Sequence, residues 1–349
     1  MKKQITIPLT LIRRHENTHK TIIYKRCEKL GSGGFAAVYR ITNQYGEEYA
    51  LKAISKERVA KPRTLEKLKS EISIQRSLDH ENILKSYDSF EDANNYYIIL
   101  ELCPGHSVKD IVRKEGYLSE KKTAKILKEV VNGLCYLHAN RIIHRDLKCD
   151  NLFIDASEGI VKIGDFGLSK AVPTGEAVSC LGTPAYTAPE VYSGKYTTKA
   201  DIWSFGLCVL EMVTGETPYS ECSNMGVIYI KVSNGGLPVA LTKVDDSLIA
   251  DFITLCLLPA DIRPSAAQLL EHSLITEYDQ LTESNAGNDD EHDLDSYVVD
   301  FNEPLDNPEY SALLARHASE VEELKKEQKA ARARMRQKIR SRNKAAGLL

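Results

Sequence analysis

Six residues in the middle of the chain, Asp146 to Asn151, hold a carboxylate, an ammonium and an amide oxygen. Asp146 has the chemistry of a base, Lys148 that of a compensating cation, and Asn151 that of a metal ligand. The apolar run Ile142-Ile143 leads in and Leu152 to Ile154 leads out. The polar residues therefore sit on a loop between two strands, where Asp and Asn are also common for turn reasons. A second acidic turn, Gly164-Asp165-Phe166-Gly167, closes a strand over Ile160 to Ile163. Upstream, Gly31-Ser32-Gly33-Gly34-Phe35-Ala36-Ala37-Val38 sets glycines between two strand-like runs. Adjacent glycines let backbone N–H groups approach phosphates with no Cβ in the way, although a plain hairpin has the same composition. A dinucleotide-binding fingerprint would need a helix directly after the glycines. The strand-like run Val38 to Thr42 argues against that. Ala50-Leu51-Lys52 then places a cation on the next strand.

The elements that must position these residues fall into two groups. Up to about residue 102 the chain reads as strands and tight turns. Glu47 to Ile54 alternates as a strand does, and Tyr96 to Leu102 is a buried-strand run closed by Pro104-Gly105. The exception is Thr64 to Leu78, where Leu65, Leu68, Ile72, Ile74 and Leu78 recur at helical spacing. After Gly105 the pattern becomes helical, with helices expected over Thr123–Ala139, Ala200–Thr214, Met225–Ser233, Ser247–Leu258 and Ala266–His272. The fold class is α+β, a small β-rich lobe (residues 24–101) followed by a larger α-helical lobe (106–275). Residues 1–23 read as a polar N-terminal extension. Residues 276–310 read as an acidic disordered linker, since Thr276 to Glu309 has no Lys or Arg. Residues 311–349, rich in Ala, Glu, Lys and Arg, read as a charged helix.

The 349 residues carry a net charge of −3, which gives no global attraction to nucleic acid or to an anionic membrane. Gln4, Thr6 and Pro8 interrupt the apolar stretch after Met1-Lys2-Lys3, so no signal peptide is expected. No apolar run is long enough to span a bilayer. The eight cysteines show no CxxC spacing. Free thiols and a cytoplasmic, or else nuclear, location are the expectation.

The order of these motifs resembles that of eukaryotic serine/threonine protein kinases. His144-Arg145-Asp146 to Asn151 is similar to the catalytic loop His-Arg-Asp-x-x-x-x-Asn, and Asp165-Phe166-Gly167 to the metal-binding turn. The glycine run differs from the family pattern at Ala36, where a third glycine is usual. The resemblance implies a two-lobed kinase fold with ATP and Mg2+ as cofactors, and the following roles. Asp146 accepts the proton of a substrate hydroxyl, and Lys148 neutralises the phosphoryl group in flight. Asn151 and Asp165 hold the metal. Lys52 binds the ATP phosphates and pairs with Glu71 on the Thr64–Leu78 helix. Leu30, Gly31, Ser32, Gly33, Gly34, Phe35, Ala36, Val38, Ala50, Leu100, Glu101, Cys103 and Phe153 enclose the nucleotide. Thr183, in Gly182-Thr183-Pro184, contacts the substrate, and with Lys148 it points to serine and threonine rather than tyrosine. Glu190 pairs with Arg263, and Asp201 braces the catalytic loop. Arg145 and Lys170 receive a phosphate on Ser179, added by an upstream kinase or by trans-autophosphorylation, and this activates the enzyme. The alternative is a pseudokinase scaffold, which normally lacks one of Lys52, Asp146, Asn151 or Asp165.

Within the family the N-terminal lobe resembles polo-like kinases, through residues 33–36, 71–78 and 100–103. The C-terminal lobe partly resembles with-no-lysine kinases, through 146–151 and 218–222. That second group lacks the strand lysine, which is present here as Lys52. The tail after 275 is too short and too charged to hold polo boxes. Family members usually place an apolar residue four positions after the helix glutamate. Here it is Gln75, with Ser86 its expected neighbour, and two polar groups there should weaken docking of the Glu71 helix. The partners expected are proteins bearing Ser or Thr. Leu314, Val321, Leu324, Ala331 and Met335 form a weak heptad seam, interrupted by His317, Gln328 and Lys338; a solvated single helix is the first reading of it, and a weak dimer or coiled coil the second.

Overall fold

A computed structural model describes residues 5–14, 20–32, 36–103, 106–155, 159–166, 169–171 and 182–277. The chain divides into two units, Met1–Gly287 and Asn288–Leu349, and every described residue lies in the first. The expected linker over 276–310 is corrected at its start, because Thr276 and Glu277 continue a helical turn over 273–277 in which Thr276 donates to the His272 carbonyl at 3.1 Å; the rest of that reading, the helix over 311–349 and Ser179 fall outside the described residues.

The N-terminal lobe is a six-stranded antiparallel sheet. Its strands are β1 (Thr10–Arg14), β2 (Thr21–Ser32), β3 (Ala36–Asn43), β4 (Glu48–Ser55), β5 (Ser86–Glu91) and β6 (Asn95–Leu100), in the order β1-β2-β3-β4-β6-β5. β3 alternates strictly between buried and half-buried residues, the period-2 pattern of a strand with one face on a core. Register sets the site: Val38 stands opposite Lys52, and Lys52 opposite Ile98, which fixes the lysine in the middle of the sheet.

The expected polar extension is in part a strand of this lobe. β1 pairs Thr10 with Lys25 through Arg14 with Thr21, and Ile5, Ile7 and Leu11 are buried against Tyr39, Ile41 and Leu51. The polar residues around them hide a short apolar alternation that only the sheet edge reveals.

Helix α1 (Pro62–Ser77) starts with proline in its first turn, where the missing N–H costs nothing. It buries Leu68, Glu71, Ile74 and Gln75. The lobes meet where Leu84 donates to the Ile163 carbonyl at 2.9 Å and Ile163 donates to that of Asn82 at 2.9 Å.

The C-terminal lobe holds α2 (Val108–Glu115), α3 (Glu120–Ala139) and two short ribbons. One pairs β7 (Ile142–Ile143) with β10 (Lys170–Ala171), the other β8 (Leu152–Ile154) with β9 (Val161–Ile163). Then come α4 (Pro189–Tyr192), α5 (Lys199–Thr214), α6 (Met225–Ser233), α7 (Ser247–Cys256) and α8 (Ala266–Leu269). Ser107 and Asp110 form a capping box at α2, an element the sequence reading lacks because it is only two turns long. In α3 the buried residues Leu127, Val130, Val131, Leu134 and Leu137 follow helical spacing. α5 is the lobe's axis, with Ala200 through Met212 all buried. It stops at Gly215, whose φ of +70° and whose approach to the Gly116 carbonyl leave no room for a Cβ. Among the described residues no helix is long and apolar enough to cross a membrane.

One surface contact joins α3 to α7. Glu120 hydrogen-bonds the carboxyl of Asp246, which itself caps α7 through the Ile249 N–H. That shared proton, with burial and the charge of Asp246, raises the Glu120 pKa from 4.5 to about 7. The folded chain therefore holds a proton that the unfolded chain has released between these values. The contact loses stability as pH rises through that window. Glu120→Gln should melt at a higher temperature than the parent at pH 8, and the gain should vanish near pH 4.5. The effect should stay within about 1 kcal/mol because solvent screens the pair; thermal melts at the two pH values measure it.

Candidate active site

The cleft between the lobes is lined from both sides. The Lys52 ammonium extends from β4 and lies 2.9 Å from Glu71 Oε1 on α1 and 2.9 Å from Asp165 Oδ1 after β9. Burial alone would push this lysine's pKa down. The carboxylates of Asp165 and Glu71 outweigh burial and hold it above its ordinary value, so the ammonium stays charged. Its side chain is 16% exposed, which makes this far more than a screened surface pair.

The helix side of this contact is compromised. Gln75 and Ser86 are both buried, and the Gln75 side-chain nitrogen and the Ser86 hydroxyl have no hydrogen-bond partner among the described residues. Each orphaned group costs roughly 1–3 kcal/mol. The expected weakening of helix docking does not prevail, because the Lys52–Glu71 pair is formed.

Below the cleft, the catalytic-type loop rests on a buried anion. Asp201 is fully buried on α5 and accepts the His144 and Arg145 N–H groups, each at 2.9 Å, and bonds His138 Nε2 at 3.0 Å. Burial raises its pKa, but the His138 bond, the charges of His138 and His144 and the Arg145 N–H more than reverse this, and the net shift is downward. The anchored backbone is unusual. Arg145 has φ +68° and Asp165 has φ +57°, conformations that cost about 1–3 kcal/mol for residues bearing a Cβ. His144 is fully buried, bonds the Gly164 carbonyl at 3.0 Å and packs edge-on against Phe166 at 5.1 Å. Phe166 is fully buried and belongs to the same apolar cluster as Ile74 of α1 and Leu78 just after it.

The loop and the end of the activation-type segment converge. Thr183 Oγ1 donates to Asp146 Oδ1 at 2.7 Å, and the Lys148 ammonium lies 3.1 Å from both Thr183 Oγ1 and Asp146 Oδ2. A hydroxyl is thus held between a base and a cation. Gly182 permits this approach: its φ is +125°, and a Cβ there would stand 2.7 Å from the Arg145 carbonyl oxygen. Asn151 Nδ2 donates to the Asp146 carbonyl at 2.8 Å, which orients the amide. The Asn151 amide and the half-exposed Asp165 carboxylate supply oxygen donors of the kind Mg2+ prefers.

The pocket above the loop is apolar. Ala50 and Leu100 pack together with Val38 and Cys103 at its edge, and Leu30 is half exposed on β2. Burial and the Glu101 charge push the Cys103 thiol up to about 12, so it remains protonated. Phe153 on β8 lies against Gly164, where a Cβ would meet its ring at 2.8 Å. Gly31, Ser32 and Ala36 lie at the facing ends of β2 and β3, while Gly33, Gly34 and Phe35 lie outside the described residues.

The pair of Glu190 with Arg263 forms, and Arg145 takes contacts that the sequence did not suggest. Arg263 grips Glu190 through both guanidinium nitrogens at 2.6 and 3.2 Å, is itself almost fully buried, and stacks over Trp203. Arg145 reaches the Tyr196 hydroxyl and the Ser169 carbonyl, both at 3.4 Å. The Lys170 backbone pairs with Ile143, but its side chain is outside the description.

Sequence reasoning missed three polar anchors. Lys162, buried in β9, pairs with Glu101 Oε1 at 2.9 Å and donates to the Glu81 carbonyl, tying the strand before Asp165 to the hinge. Glu211, fully buried, receives Lys109 and Tyr186 and so joins α2 and residues 184–186 to α5. His138 completes the Asp201 contact. The available signal was a charge inside an apolar run, Val161-Lys162-Ile163 and the helix around Glu211.

A strand lysine shared by a helix glutamate and a turn aspartate, set above a helical lobe that presents the base, is the architecture of a protein kinase domain. The chain belongs to that family: the family description "Protein kinase domain" matches residues 24–275. It is 42% identical over 252 residues to the "Probable serine/threonine-protein kinase WNK10" of Arabidopsis thaliana. It is 43% identical over 246 residues to the "Serine/threonine-protein kinase WNK8" of the same plant. These matches cover 70% and 69% of this chain but 48% and 44% of the relatives, so the chain spans under half of their length. Both matches are longer than the C-terminal lobe, so the with-no-lysine likeness extends into the N-terminal lobe as well.

The Asp201 anchor should be measurable. Asp201→Ala leaves three donors facing a void and should cost about 3–5 kcal/mol. Chemical denaturation reads the loss, and a drop below about 1 kcal/mol would contradict the anchoring role.

Proposed function

We propose that this chain is an active serine/threonine protein kinase that transfers the γ-phosphoryl group of ATP to a protein hydroxyl. The observation that carries this is the trio Asp146, Lys148 and Thr183, which already holds a hydroxyl at 2.7 Å from a carboxylate. In the reaction a substrate hydroxyl takes the place of the Thr183 hydroxyl near Asp146. Its oxygen attacks the γ-phosphorus as its proton moves to Asp146, and the bond to the β-phosphate oxygen breaks to release ADP. Lys148 stabilises charge on the transferred group, and Lys52, braced by Glu71, meets the nucleotide phosphates. Mg2+, when bound through Asp165 and Asn151, neutralises phosphate charge. Rate comes from positioning and charge neutralisation. The scaffold-only alternative finds no support, because Lys52, Asp146, Asn151 and Asp165 are all present and set around one cleft.

Incorporation of radiolabelled phosphate from ATP into a generic protein substrate tests this. Asp146→Asn should reduce it by about 10²–10⁴-fold. Equal, negligible incorporation by the intact chain and the variant would overturn the enzyme reading.

We further propose activation by phosphate on Ser179, delivered by an upstream kinase or by a second copy of the chain. The support is that Arg145 directly precedes the base and turns its guanidinium toward Ser169 and Tyr196, beside Lys170. A phosphate there would give the Arg145 guanidinium an anion to pair with, close to the catalytic loop. Phosphatase treatment should lower activity of the parent, and Ser179→Ala should start from that lower level and not change on treatment. Full activity of Ser179→Ala beside a phosphorylated parent would refute the role.

A further inference from the structure

Helix α1 docks with two orphaned polar groups beneath it, yet Glu71 still reaches Lys52. Other contacts must offset that penalty, and the next residue along the helix points to one. Arg76 Nη2 lies 3.8 Å from Asp88 Oδ1 on β5. The other oxygen of the same carboxylate accepts Arg13 Nε at 2.9 Å, and Arg13 belongs to β1. The Asp88 side chain is only 9% exposed, so its charge calls for cations close by. One comes from the N-terminal strand and one from the Glu71 helix. Arg13 holds Oδ2, while Oδ1 accepts the Ser89 N–H at 2.8 Å and also faces Arg76, whose side chain is 57% exposed.

β1 and the residues just before it are well anchored. Leu11, Ile5 and Ile7 are buried in the sheet's core. The Tyr39 hydroxyl donates to the Ile5 carbonyl at 2.9 Å, and Arg26 donates to the Ile7 carbonyl at 2.7 Å. Arg13 also lies over the Phe90 ring on β5. The strand therefore forms a fixed support at the far edge of the sheet order, reached from α1 through a single carboxylate.

We propose that β1 acts as a clamp on the Glu71 helix, with Arg13 a positioning residue that holds Glu71 on Lys52 through Asp88 and Arg76. The clamp compensates for Gln75 and Ser86, which would otherwise favour an undocked helix. It rests on the kinase reading for its activity readout alone. Hydrogen exchange and nucleotide binding report on it whether or not the chain transfers phosphate.

The full chain is compared with Arg13→Ala, Asp88→Asn, Arg13→Lys, and each of the first two combined with Gln75→Leu. In Arg13→Ala and Asp88→Asn the amides of residues 62–77 should exchange faster. Binding of a fluorescent ATP analogue and the KM for ATP should weaken by about fivefold, a typical coupling. The KM for protein substrate should stay unchanged. Arg13→Lys should recover part of the loss. Gln75→Leu should restore both defects, since an apolar side chain removes the reason the clamp is needed. A purely structural strand would instead lower the melting temperature with no change in ATP affinity or in exchange at 62–77. That result, or no rescue by Gln75→Leu in a double variant that melts like the parent, overturns the proposal.

Discussion

One ammonium joins the three parts on which the site depends. Lys52 Nζ comes from the sheet, Glu71 from the only helix of two turns or more described in the N-terminal lobe, and Asp165 from the C-terminal lobe, and both carboxylates lie 2.9 Å from it. A charge this little exposed is tolerated only with close counter-charges. The pairing therefore constrains how α1 and the Asp165 turn sit against β4. Neither an exposed lysine nor a lone glutamate would impose that constraint.

The lower half of the cleft applies the same principle with the sign reversed. Asp201 is a buried carboxylate satisfied by two loop N–H groups and a histidine, and it holds Arg145 in a left-handed backbone conformation next to the base. Strain at Arg145 and Asp165 persists because the surroundings determine it from several sides. Around these two centres, buried ion pairs outline the lobe: Arg263 with Glu190, Lys109 with Glu211, and Lys162 with Glu101. Each links segments that are distant in the chain, so they specify arrangement as well as contributing stability.

The N-terminal lobe shows what happens when a packing position is given to polar residues. Gln75 and Ser86 deny α1 a fully apolar seat, and the docked helix coexists with that cost, with an ionic contact through Glu71 on one side and one through Arg76 on the other. The added strand β1 gives the sheet a sixth member and supplies a charge at the end of that chain of contacts.

Much of this was legible in the sequence. The strand and helix periodicities gave the two-lobed α+β class, and the order of Lys52, Glu71, Asp146, Lys148, Asn151 and Asp165 carried the family resemblance that implied the cleft's functional groups, because both are properties of the chain read locally. β1 was not legible, since its apolar alternation is only three residues deep and gains meaning only beside β2. Lys162 and Glu211 were equally hidden, because a buried charge is stable only through a partner far away in sequence, and no local rule supplies that partner; His138 was hidden because Asp201, which it bonds, is equally remote in sequence. The sequence by itself determined which groups could do the chemistry. Only the tertiary structure decided that Asp165 would join Glu71 on Lys52, that Thr183 would come to rest between Asp146 and Lys148, and that α1 would dock despite its buried Gln75. Each of those outcomes is a balance of desolvation against charge at contacts that exist only once the chain has folded.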